Sequence, residues 1–271
     1  MTFSPTFILL QQEAYLARGS LSAGLTSLRN ATFPDKGAFY PGFFNTSIGF
    51  ERVMKLIVVV DHMLQNGYAP PSKAQLKAYG HDLVTLYSSC VAAAQRIGLS
   101  AVRNPVIGST EEKILAFLSE FARWSRYYNL DSLQTAPSTY TDPLATWDAI
   151  LESVLATDVP SEKARQKLQE AQLTHDLLAN NVRAIQHGMS GKLLSLPEVF
   201  STPVKHQLAV PYAMARVFRL LTPLLQALDE LGCLAFYGPP RPPSPQAPLF
   251  SEFFVHFRGT DAEIRRKKRW P

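Results

Sequence analysis

Between residues 51 and 82 the chain carries more charge than a core-forming helix needs. Glu51 and Lys55 stand one helical turn apart in the acid-first order that favours pairing, Arg52 adjoins them, and His62 follows Lys55 by two turns. Val53, Met54, Ile57, Val58 and Val60 cover most of the remaining circumference, so the helix is expected to be buried with its charged stripe facing another helix. Gly80-His81-Asp82-Leu83 opens the obvious partner, and the Asp82 carboxylate is suited to cap it. Charge on such a helix is costly unless it is paired and hydrogen-bonded. Glu51, Arg52, Lys55, His81 and Asp82 therefore form either a polar layer that fixes helix register or a pocket for a nucleotide or a partner. A second pair, Arg183 and His187, also sits at i and i+4, just before Gly188. Cations in the last turn of a helix interact favourably with its free carbonyls, and glycine is an ordinary stop, so this pair has a purely structural explanation as well.

The remaining chemistry-bearing residues are scattered. Arg265, Arg266, Lys267, Lys268 and Arg269 are consecutive, and setting them aside leaves 22 basic against 22 acidic residues. The net charge of +5 and the isoelectric point near 9.2 thus belong to the C-terminal end, which excludes a generally basic body that coats nucleic acid. The run suits phosphate contacts, an acidic protein surface, or a solvated tail; Trp270 beside it favours a surface to cover. Trp124, Arg126, Tyr127 and Tyr128 either stack bases beside a cation or pack a helix end. His175, His206 and His256 have no metal-ligand grouping, and no glycine-rich phosphate loop or G-x-S-x-G turn is present. Neither a metal nor a cofactor is called for. Cys90 and Cys233 lie far apart in apolar helical contexts, as buried free thiols do in a reducing compartment. The first ten residues lack a basic segment, and the strongly apolar runs fall short of the roughly 20 residues of a membrane span, so a cytoplasmic protein without membrane contact is expected.

The elements that must position these groups are helical throughout. Ser4-Pro5 opens a helix that pauses at Gly19 and resumes over residues 21–28. Residues 31–45 form an aromatic-rich loop packed against the body, and a helix over 47–65 ends at Asn66-Gly67. Further helices are expected over 72–79, 82–97, from the S-x-x-E box at Ser109 and Glu112 to about 127–129, and from Asp142-Pro143 to about 155. A long helix then runs from about 161 to His187, and the last begins at Thr202-Pro203, reaches about 231, and is interrupted at Pro211 and Pro223. Residues 238–248 hold six prolines, with P-x-x-P spacing at Pro239 and Pro242, and read as an extended surface loop. The expected fold class is all-α, with a helical domain over 1–235 and a Pro-rich loop and basic tail over 236–271.

Glu51-Arg52-Val53-Met54-Lys55-Leu56, the Pro70-Pro71 loop and Gly80-His81-Asp82-Leu83 resemble, in order and spacing, the HEPN domain family, whose helical bundles often show E-K-x-L-K-A, a proline loop, and then T/G-H-D-L. The aromatic segment before Ser47 is similar to the end of that family's first helical region. The resemblance covers about a third of the chain, and it implies a HEPN-like bundle over about 5–100 with further helices over about 110–235. Many HEPN proteins are metal-independent ribonucleases with an R-x4-6-H motif. The nearest match is Asn181-Val182-Arg183-Ala184-Ile185-Gln186-His187-Gly188, with three residues between Arg and His and with Asn before the Arg. The resemblance implies that His187 would deprotonate a ribose 2′-hydroxyl while Arg183 stabilises charge on the phosphate, commonly in a homodimer. Two functions follow as expectations: a metal-independent endoribonuclease in stress or phage defence, or a non-catalytic helical protein that binds RNA or a protein partner.

Overall fold

A computed structural model describes residues 3–133, 140–238 and 244–271; the P-x-x-P pair Pro239 and Pro242 lies outside them. Among the described residues the regular structure is all-α, without a β-strand. α1 (Pro5–Asn30) starts where Ser4 accepts a hydrogen bond from the Phe7 N–H and Pro5 occupies the first turn. It runs straight through Gly19 and does not pause there. α2 (Phe39–Gln65) begins well before Ser47, so most of the expected aromatic loop is helix: a turn at Lys36–Ala38 leads directly into it. The aromatics do pack inward, with Phe33, Phe39 and Phe43 buried, and only Phe44 is largely exposed.

α1 and α2 form an antiparallel hairpin whose closeness is set by glycine. A Cβ on Gly24 would lie 2.3 Å from the Thr46 backbone nitrogen, one on Gly42 2.7 Å from Leu28, and one on Gly49 2.6 Å from Leu21. The two backbones approach at these three points because nothing stands between them. α3 (Lys73–Ala78) and α4 (Leu83–Arg96) are joined by a turn whose Gly80 has φ +62, a conformation that favours glycine. α5 (Thr110–Arg123) and α7 (Pro143–Thr157) pack together over an aromatic cluster of Phe43, Phe117, Phe121 and Trp147, with ring centroids 4.7–6.2 Å apart. The short α6 (Tyr128–Asp131) lies between them in sequence.

α8 (Ser161–Leu178) stops nine residues short of His187. It buries only Ala171, so little apolar surface holds further turns in place, and Asn180-Asn181 supplies turn chemistry in place of a glycine or proline. α9 (Leu196–Tyr237) corrects the other long helix in the opposite sense. It starts earlier, where Glu198 accepts from both the N–H and the hydroxyl of Ser195 at 2.7 Å, and it passes through Pro203, Pro211 and Pro223 unbroken. Each interior proline costs about 3 kcal/mol of helix stability. Burial of Leu208, Val210, Met214, Phe218, Leu221, Leu225 and Leu228 outweighs it. α9 is long and apolar enough to span a membrane by length and composition, yet 72% of its most apolar stretch is buried inside the fold, against α2, α7, α8 and α5.

The chain closes with α10 (Ser251–Phe254) and α11 (Asp261–Arg266) on α1 and α9. Phe250, Phe253, Phe254, Phe257, Ile264 and Trp270 join the same core as the earlier helices, so residues 244–271 complete the bundle and are not an appended tail. Cys90 is buried, whereas Cys233 lies on the solvent face of α9, against the expectation of two buried thiols.

Candidate functional site

The charged stripe on α2 does pair across to the start of α4. Glu51 accepts from Lys55 at 2.6 Å and meets His81 Nδ1 at 2.9 Å; the glutamate is mostly buried and His81 largely exposed. Arg52 turns the other way, to Glu13 on α1 at 2.5 Å. Asp82 caps α4 through the N–H groups of Val84 and Thr85, both at 3.0 Å, and pairs with Arg123 at 2.7 Å. Burial pushes the Asp82 carboxyl up, but the Thr85 N–H, Arg123, the Val84 N–H and Ser119 together hold it below its usual range. His62 makes no side-chain hydrogen bond among the described residues. A pair the sequence reading missed, the buried Asp61 with the exposed Arg96, extends this seam along α2 and α4. Each group in the seam except His62 has a partner, so its chemistry is mutual satisfaction, with little left over for a ligand.

Arg183 and His187 are exposed and lie beyond the end of α8, so the helical i, i+4 geometry expected of them is absent and the backbone does not aim both at one group. The segment instead folds into a tight turn. Leu194 N–H donates to Gln186 O and Gly188 N–H to Lys192 O at 2.8 and 2.7 Å, around Gly191 at φ +77. Lys36 fastens it to the body by donating to the carbonyls of His187 and Gly188 at 2.5 and 2.7 Å.

That turn walls a cleft of about 230 Å³ whose floor is a pair absent from the sequence reading. His206, 6% exposed on α9, meets Asp148 of α7 through Nε2 at 2.7 Å. Its Nδ1 is buried without a hydrogen-bond partner, and the ring stands edge-on to Phe33 at 5.2 Å. Lys192 from the turn, Lys205 from α9 and the carboxylates of Glu152 and Glu198 also line the cleft. His206 and Asp148 are 58 residues apart, and each looks like an isolated polar residue on an amphipathic helix, so no spacing could have joined them.

The basic run is ordered. Arg265 and Arg266 end α11, and the next residues lie along the C-terminal half of α1. Trp270 N–H donates to Thr26 Oγ1 at 3.0 Å, Asn30 donates to Lys268 O at 2.8 Å, and Ser22 donates to Pro271 O at 2.7 Å. Trp270 is buried and stacks on Phe218 at 5.5 Å. Arg265 lies over Tyr212, and Lys267 donates to His256 O. Arg266, Lys268 and Arg269 face solvent, and among the described residues none of the five cations forms an ion pair. The aromatics near 124–128 are not packed away either. Trp124 and Tyr127 are about half exposed, with Trp124 stacked on Tyr140 and Arg126 over Tyr127. No family model, curated protein sequence or solved structure matches this chain.

Proposed function

We propose that this chain is a non-catalytic, HEPN-like helical protein of the cytoplasm that binds the phosphate backbone of nucleic acid, RNA foremost, along residues 265–269. The observation that carries the reading is five consecutive cations held in a defined conformation, none of them in an ion pair among the described residues; the Glu263 carboxylate, one turn before Arg266, is engaged by Thr260. Mutual repulsion in a fixed segment is unfavourable, and an anionic polymer relieves it while the ordering entropy is already spent. The bundle assignment is supported by the Glu51–Lys55–His81 contact between α2 and α4 and by Asp82 capping α4.

A metal-independent endoribonuclease using Arg183 and His187, in a homodimer with a role in stress or phage defence, is the competing reading. Its support is that the His187-Gly188 turn borders a polar cleft with Lys192, Lys205 and His206. One experiment separates the two. Labelled single-stranded RNA is incubated with the full chain in EDTA over a range of salt and read on native and denaturing gels. Retarded, uncut RNA is expected, and Arg266→Ala with Arg269→Ala should flatten the slope of log K against log salt by about 1.4, near 0.7 per lost contact. Cutting that Arg183→Ala or His187→Ala abolishes would establish the nuclease instead. An unchanged slope would remove residues 265–269 from the interface.

A further inference from the structure

Sharing His206 with the cleft, a groove of about 520 Å³ opens between the end of α1, the 31–34 segment, residues 203–210 of α9 and Lys268. Its volume is that of a small-ligand site. Its charge is one-sided: Arg29 and Lys268 line it, and no carboxylate does. Arg29 is the unusual group. Its guanidinium is partly buried; among the described residues its buried Nε has no hydrogen-bond partner, and its one hydrogen bond is a long 3.4 Å donation to Arg265 O. Burial without a counter-charge pushes this guanidinium below its ordinary value. A half-buried cation of this kind is costly unless an anion meets it. The wall behind holds a second unpartnered nitrogen, His206 Nδ1, on a ring already anchored by Asp148.

We propose that this groove binds a small phosphate ester, with the phosphate between Arg29 and Lys268 and the organic body against Pro34 and Pro203. Two cations match a dianion, whereas a carboxylate would neutralise only one of them. The carbonyl end of α1 opposes an anion by about half a charge, which two full cations exceed. Thr32 and Gln207 at the rim supply a hydroxyl and an amide for the remaining oxygens. The site stands on the groove's own chemistry and does not require residues 266 and 269 to hold RNA.

Titration calorimetry on the full chain tests it with three probes: phenyl phosphate, inorganic phosphate and benzoate. One saturable site is expected, with phenyl phosphate bound more tightly than inorganic phosphate and benzoate at least tenfold more weakly than phenyl phosphate. Arg29→Gln should weaken phenyl phosphate at least tenfold. Lys268→Gln, whose side chain is exposed and cannot upset folding, should weaken it severalfold and serves alone if the Arg29 variant does not fold. Arg266→Ala with Arg269→Ala should leave it unchanged, which separates this site from the RNA surface. Absence of a saturable site, or full affinity in both Arg29→Gln and Lys268→Gln, overturns the proposal; benzoate binding as well as phenyl phosphate overturns the assignment to phosphate.

Discussion

Arg216 shows what a single side chain can hold together here. From α9 it grips Asp158 at the end of α7 with two bonds, of 2.7 and 2.5 Å, and reaches Glu111 in the first turn of α5 at 2.9 Å. All three side chains are at most 20% exposed, so solvent screening is limited. Arg216 is held above its ordinary value by the hydrogen bond to Asp158, and Asp158 is held below the usual carboxylate range chiefly by that same bond. Arg216→Ala strands the shielded Asp158 and leaves Glu111 with Arg219 at 3.5 Å, and should cost about 2–3 kcal/mol, somewhat less than for a fully buried pair, lowering Tm by about 5–10 °C. The pH dependence has a fixed sign. Because the folded carboxyl is depressed, the Asp158 contribution is complete above the unfolded value of about 3.9 and is lost as pH falls through the lower folded value. Urea titrations from pH 6 to pH 2 should therefore show a shallower acid loss in Arg216→Ala than in the parent; parallel curves would mean that the pair contributes nothing to acid stability.

At the scale of elements, the α1/α2 hairpin depends on glycines that no periodicity marks as special. Gly24 is the tightest, because its Cβ would meet the backbone nitrogen of Thr46, which cannot swing aside as a side chain would. Gly24→Ala should lose about 1–3 kcal/mol through overpacking, despite alanine's better helix propensity. Gly19→Ala, with open space around its Cβ, should instead gain up to about 1 kcal/mol. A denaturant-midpoint comparison of the two reads this directly, and equal shifts would deny the close approach. The same contrast explains which helices were legible. Caps written in local chemistry, such as Ser4-Pro5, Asp82 and Asp142-Pro143, placed three starts within a residue. The end of α8 and the continuity of α9 were not legible, because one depends on missing apolar contacts and the other on abundant ones.

For the molecule as a whole, the C-terminal segment acts as a strap across α1 and α9. Trp270→Ala should destabilise the entire bundle by about 3–5 kcal/mol, since a buried ring stacked on Phe218 is lost. Arg266→Ala with Arg269→Ala should leave stability within about 0.5 kcal/mol, because both side chains are exposed and unpaired. Thermal unfolding of the two proteins distinguishes a strap from a loose tail, for which neither change would matter.

The sequence by itself determined the all-α class, most helix starts, and the pairing of Glu51 with Lys55, because these depend on neighbours within a turn or on one contiguous apolar face; it named His81 as a partner across the seam, but only the packing of α2 against α4 made that contact. It also singled out the basic run, though not its conformation. Only the tertiary structure decided that Arg183 and His187 leave the helix, that Trp270 is a core residue, and that His206, Asp148, Arg29 and Lys268 surround two adjoining cavities. Those residues come from four distant stretches of chain. Their meeting depends on how α1, α7 and α9 pack, a sum of many weak contacts that no local spacing records.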